Sequence, residues 1–240
     1  MKEPCKKTKF SAVAFDLDGT LYPNSRFYVK MLPFVFKEFR FLKAFGKARD
    51  RLRLEALNLP PTEAGIRDAA SFYRVQAQYM GEILSTEADY LLERTENLIY
   101  RGWEPLFENV KLFPHVKETL SALRKTGIKL GMLSDFPPEK KIEYFGLSGF
   151  WDAVHCSESS GRLKPDPLPF LKLAEALGLP PQEVLYAGNN FAYDVLGAQK
   201  AGMKAAWIRT GGFRFFKRKK ERLADFVFND YRQLRDFVLA

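Results

Sequence analysis

The sequence predicts an α/β protein: a doubly wound parallel sheet carrying an all-helical segment inserted after its first strand. Three observations predict it. The apolar run Phe10 to Phe15 is short, bounded by polar residues, and ends on two carboxylates, Asp16 and Asp18, as a strand buried on both faces would. From Val110 onward, short apolar runs alternate with helical stretches over short connections, the pattern of repeated strand-helix units. Between Leu21 and Val110 no strand pattern occurs, and apolar residues recur at helical spacing.

The elements follow in order. Phe27 to Phe45 is aromatic-rich with basic residues interleaved, and Arg67 to Arg101 carries Ala70, Tyr73, Ala77, Met80, Ile83 and Leu84 on a helical period. Pro60-Pro61-Thr62 separates the two blocks, with Thr62 placed to cap the second. Pro114 to Thr126 reads as a helix stopped by Gly127, and Lys129 to Leu133 as a strand ending at Ser134-Asp135. Pro137 to Tyr144 starts a helix, and Trp151 to His155 is a strand. Asp166 to Leu177 is a helix ended by Gly178; Val184 to Ala187 is a strand followed by Gly188-Asn189-Asn190. A helix over Val195 to Ala201, a strand over Lys204 to Ile208, an edge strand over Asp225 to Phe228 and an amphipathic helix from Asp230 to Leu239 complete the chain.

Composition excludes several classes. The two cysteines, Cys5 and Cys156, form neither a CxxC nor a Cys/His cluster, so zinc and thiol chemistry are unsupported and a reducing, cytoplasmic setting is the expectation. The first apolar run is broken at Asp16, too early for a signal peptide, and no 18-residue apolar stretch occurs, so no membrane association is expected. The net charge of +9 comes from 38 Lys and Arg against 29 Asp and Glu. It is concentrated between Arg26 and Arg53 and between Arg209 and Arg222, and the acidic stretch Leu54 to Glu108 offsets the first of these. Charge runs of this kind read as solvated faces rather than as a nucleic-acid groove. The stretch Phe213 to Arg222 reads as a surface loop.

In open α/β sheets ligands bind at the carboxyl edge of the strands, where Asp16 falls. Two carboxylates at i, i+2 there call for a cation or a proton, and carboxylates can act as nucleophile and as acid or base. Capping of backbone amides is the plainer reading of the same residues. Ser134 lies at the same edge, where its hydroxyl and the Asp135 backbone N–H could donate to an oxyanion, although a serine there serves equally as a helix N-cap. With these residues in place, Asp16-Leu17-Asp18-Gly19-Thr20 resembles the signature loop of the haloacid dehalogenase-like (HAD) hydrolases, most of which are phosphatases. Ser134 resembles that family's second motif, and Gly161-Arg162-Leu163-Lys164-Pro165-Asp166-Pro167 matches its third. Gly188-Asn189-Asn190-Phe191-Ala192-Tyr193-Asp194 takes the place of the fourth.

The resemblance implies an aspartyl phosphate on Asp16, acid/base work by Asp18, and a phosphate clamp of Ser134, Asp135 and Lys164. It also implies Mg²⁺ held by Asp16, Asp18, Asn189 and Asp194. Asn189 departs from the pattern, since the family commonly places an acid there, and a neutral amide is a weaker ligand for a hard ion. The implied architecture is a core of residues 1–21 and 109–240 with a helical cap over 22–108. The implied reaction is Mg²⁺-dependent hydrolysis of a small phosphomonoester. A dehalogenase would not need Asp18. A weak or inactive member that binds a phosphorylated ligand or partner is the alternative, and the oligomeric state, monomer or dimer, stays open.

Overall fold

A computed structural model describes residues 9–57, 68–209 and 221–240. Thr62 and most of the basic stretch 213–222 lie outside the described residues. The fold is the predicted one: a six-stranded, fully parallel sheet in the order β3-β2-β1-β4-β5-β6. Its strands are β1 (Ala12–Phe15), β2 (Lys129–Ser134), β3 (Ala153–Cys156), β4 (Val184–Gly188), β5 (Lys204–Ile208) and β6 (Phe226–Phe228). β1 is hydrogen-bonded on both sides and buried on both faces, and it is the second fact that makes its run apolar without alternation.

Alternation reappears as a division between the two faces. Val13 and Phe15 pack with Leu130, Met132, Leu185 and Ile208 beneath α4 (Val116–Lys125) and the C-terminal helix α8 (Tyr231–Leu239). Ala12 and Ala14 pack with Leu133, Tyr186 and Trp207 beneath α6 (Pro167–Leu177) and α7 (Leu196–Lys200). Helices on both faces make the sheet doubly wound. Their ends are set by local chemistry: the Asp166 carboxylate accepts from the Leu168 N–H at 2.8 Å, Pro167 opens the helix, and Gly178 closes it in the left-handed region.

Between β1 and α4 the described chain forms three α-helices, α1 (Asn24–Leu57), α2 (Ala69–Leu84) and α3 (Ala88–Thr95), and no strand. α1 bends at Glu38. The second block is capped by Asp68, whose carboxylate accepts from the Ser71 N–H at 2.7 Å. The aromatic residues of α1 divide: Phe27, Phe41 and Phe45 are buried, whereas Tyr28, Phe36 and Phe39 are exposed. Among the described residues no helix is long and apolar enough to cross a membrane.

Candidate active site

β1 carries the first functional side chain to the sheet's carboxyl edge. Its ladder ends with the Asp16 N–H donating to Ala187 O, after which the chain turns tightly, with Thr20 and Leu21 N–H both donating to Leu17 O. Gly19 makes the turn at φ +83°, and a Cβ there would fall 2.2 Å from the Asn189 Nδ2. A side chain is excluded at this position both by conformation and by space.

The buried Asp16 carboxylate accepts from Thr20 Oγ1 at 2.6 Å and from Lys164 Nζ at 2.7 Å. The same ammonium lies 2.7 Å from Asp194 Oδ1 and 3.3 Å from the Tyr186 hydroxyl, which in turn donates to Leu133 O. Asp194 is anchored through its other oxygen by the Asn190 N–H at 2.8 Å. Two buried carboxylates therefore share one ammonium, and one negative charge is left over. Burial lifts the Asp16 carboxyl to about 7 against the pull of Lys164, with Asp194 and Asp18 adding to the rise. Burial alone would lower Lys164, but Asp16 and Asp194 hold it well above the usual lysine range.

The other predicted residues fall around this pair. The register that sets Phe15 beside Met132 puts the buried Ser134 two residues beyond, at the same edge, where its Oγ accepts from the Phe136 N–H at 3.2 Å. The Asp135 carboxylate is already engaged, accepting from Arg53 at 2.9 Å and from the Lys164 N–H at 3.2 Å. Only its backbone N–H is suited to a phosphate. Asp18 has partners of its own: Tyr22 OH and Lys141 Nζ donate to it, the latter at 2.7 Å and 2.8 Å. The Asn189 side-chain amide lies over Gly19, and the Asn189 backbone carbonyl accepts from the Trp207 indole at 2.9 Å.

Sequence reasoning missed Thr20, Tyr186, Lys141, Arg49 and Arg53 as parts of the site. Lys141 sits on a short helix, α5 (Glu139–Tyr144), with nothing in its spacing to mark it. Arg49 and Arg53 project from α1, four residues apart on one face. Arg53 reaches Asp135 and Lys164 O, and stacks over the Tyr193 ring at 4.5 Å. Arg49 makes a buried ion pair with Glu158, which also accepts from Tyr73 and Tyr100, each at 3.0 Å. The basic i, i+4 spacing in α1 was the available signal, but it is equally that of a solvated helix face.

Among the described residues no three His, Cys, Asp or Glu side chains gather as a group that could hold a metal ion. The donor set is nevertheless one for a hard cation. Asp16 and Asp194 are brought together with surplus negative charge, and the Asn189 amide lies at the same edge. No sulfur or imidazole ligand is involved.

A family model for haloacid dehalogenase-like hydrolases matches residues 10–202. Among relatives, a glyceraldehyde 3-phosphate phosphatase of Methanopyrus kandleri is 29% identical, over 95% of this chain and 96% of its own. A phosphoglycolate phosphatase of Haemophilus influenzae is 27% identical, over 95% and 97%. The solved structure of a HAD phosphatase from Thermococcus onnurineus superposes with a TM-score of 0.59 at 28% identity, covering 94% of this chain and 96% of that one. An L-2-haloacid dehalogenase from Xanthobacter autotrophicus gives 0.63 at 20% identity over 95% and 98%, a likeness of fold alone.

Proposed function

The chain belongs to the haloacid dehalogenase-like hydrolases, and on that premise we propose that it hydrolyses phosphomonoesters through an aspartyl phosphate on Asp16. The observation that carries the reading is the Lys164 ammonium, 2.7 Å from both Asp16 and Asp194 at the carboxyl edge of the sheet, with Asp18 two residues beyond the nucleophile. Phosphoryl transfer depends chiefly on positioning and charge compensation, and a fixed ammonium beside a carboxylate supplies both. The named phosphatases among the relatives support the same class. Residues 22–108 are read as a cap over a core of residues 1–21 and 109–240.

In the first step Asp16 attacks phosphorus. The bond to the leaving oxygen breaks with its electron pair on that oxygen, which takes a proton from Asp18. Water then attacks phosphorus and gives its proton to Asp18, and the bond to the Asp16 oxygen breaks with its electron pair on that oxygen, regenerating the carboxylate and releasing inorganic phosphate. Thr20 and Lys164 fix the Asp16 carboxylate, while Ser134 Oγ and the Asp135 N–H are read as donors to the phosphoryl oxygens. A phosphate dianion meeting the surplus negative charge of Asp16 and Asp194 requires a further cation. Asp16, Asp194 and Asn189, with Asp18 alongside, would hold it. Bound Mg²⁺ would supply charge neutralisation for the transferring group.

The test is Asp16→Asn. Turnover of a generic aryl phosphate with Mg²⁺ should fall by at least ~10³, because the amide cannot attack phosphorus. The melting temperature should hold or rise, since the change removes the surplus buried charge. Retention of more than about a tenth of the activity, only ~1.4 kcal/mol in barrier, would remove Asp16 as nucleophile.

A further inference from the structure

Building on the phosphatase reading, we propose that the substrates are phosphomonoesters of uncharged aromatic alcohols, with the ring held in an aromatic cavity between the helical segment and α5. The cavity measures about 510 Å³ and is lined by Asp18 and by the rings of Tyr22, Phe27, Tyr100, Trp103, Phe107 and Phe136. Phe27 and Phe107 stack with centroids 4.8 Å apart, and Trp103 joins them to the far side, 5.7 Å from Phe27 and 6.1 Å from Phe136. The rings form a continuous wall.

The cavity meets the chemistry at Asp18, and this decides which part of the substrate it holds. The group that protonates a leaving oxygen must touch that oxygen, and the phosphoryl group lies on the side of Asp16 and Lys164. The alcohol therefore occupies the space beyond Asp18. When the phosphorus–oxygen bond breaks, its electron pair stays on the alcohol oxygen, which takes the Asp18 proton and leaves as the neutral alcohol.

Size and charge narrow the class. A two- or three-carbon alcohol would fill a small part of a cavity in the range that takes drug-sized ligands. The lining bases are already matched: Lys141 to Asp18 at 2.7 Å, Arg101 to Glu96 at 2.9 Å and Lys140 to Glu143 at 3.1 Å. Glu104 and Glu139 add negative charge to the same lining. A carboxylate on the leaving group would face acids and spoken-for cations. An aromatic ring instead finds offset and edge contacts with its own kind.

The experiment compares 2-naphthylmethyl phosphate, glycerol 3-phosphate and 2-phosphoglycolate, all esters of alkyl alcohols, so that intrinsic reactivity does not decide the outcome. Expected is a kcat/KM for the naphthylmethyl ester at least about 100-fold above that for 2-phosphoglycolate. In Trp103→Ala, or Trp103→Leu if the first fails to fold, its advantage over glycerol 3-phosphate should shrink by about tenfold. Equal or better turnover of 2-phosphoglycolate, or an advantage unchanged by both variants, would overturn the assignment while leaving the phosphatase reading intact. Calorimetric binding of 2-naphthylmethylphosphonate separates the two readings. Binding that weakens with Trp103 truncation, but without turnover of any ester, would keep the aromatic site and discard the phosphatase. No binding and no aromatic preference would discard the site.

Discussion

At Asn189 a single atom separates this chain from the pattern its family leads one to expect. Its amide nitrogen sits where a Cβ on Gly19 would be 2.2 Å away, so the half-buried side chain lies directly over the signature loop. Asn189→Asp puts a carboxylate in the same shape but adds a charge to a site that already carries one surplus negative. Coulomb repulsion should lower the stability of the metal-free protein by about 1 kcal/mol, or roughly 2–4 °C in melting temperature for a chain of this size. The same charge should tighten Mg²⁺, since hard ions prefer carboxylate oxygen, and binding to the folded state alone raises its melting temperature. Melting curves of both proteins across a Mg²⁺ titration check this without reference to turnover. The expected result is a lower starting point and a steeper rise for the variant. Parallel curves would place position 189 outside any metal shell.

The elements whose ends are written in local chemistry were legible. Asp166-Pro167 with Gly178 framed α6, and unbroken apolar runs marked strands that are buried on both faces. The signature carboxylates, Ser134 and Lys164 could be placed because each follows or precedes such an element. Arg53, Arg49 and Lys141 could not, because what makes them part of the site is a partner far away in sequence: Asp135, Glu158 and Asp18. A helix sequence shows which residues share a face, not what that face will meet. The contact of α1 with the loop after β2 can be tested through pH. Burial would raise the Asp135 carboxyl, but Lys164, Arg53 and Arg49 outweigh it and hold it below the usual carboxylate range. A depressed native pKa contributes stability that is complete above about pH 4 and lost as pH falls through the native value. Arg53→Gln should destabilise by about 2 kcal/mol at neutral pH, between the worth of a surface pair and a buried one. The gap from wild type should close below about pH 4. Urea unfolding at pH 7, 5 and 3 measures it, and a gap independent of pH would mean that Arg53 acts through packing on Tyr193 instead.

Across the whole molecule, the helical segment and the sheet are joined by a charge that water does not reach. Glu158, on the turn after β3, is fully buried, and its donors come from the helical segment: Arg49 on α1, Tyr73 on α2, and Tyr100. Burial pushes the Glu158 carboxyl up, and the Arg49 ion pair and the tyrosine hydroxyls pull against it. Removing Arg49 leaves that carboxylate uncompensated, so Arg49→Met should cost about 3–5 kcal/mol. The loss should open with rising pH, in the same sense as the gap at Arg53→Gln, but here because a buried carboxyl is left without its cation. Without its cation the native carboxyl holds a proton that the unfolded chain releases near pH 4.3, so the variant should lose stability as pH rises above about 4.3. Adding Glu158→Gln removes the charge, while the amide oxygen accepts from one of the two tyrosine hydroxyls and its NH2 donates to the oxygen of the other. The double variant should therefore recover about half of the loss or more, and its stability should no longer fall over that range. Unfolding followed by tryptophan fluorescence and by far-ultraviolet dichroism tests the coupling directly. Wild type should show coincident transitions, and Arg49→Met a separate earlier loss of the helical segment. If the double variant is no more stable than Arg49→Met, the pair acts through direct attraction rather than by shielding a buried charge, and the proposed coupling of segment to sheet through Glu158 fails.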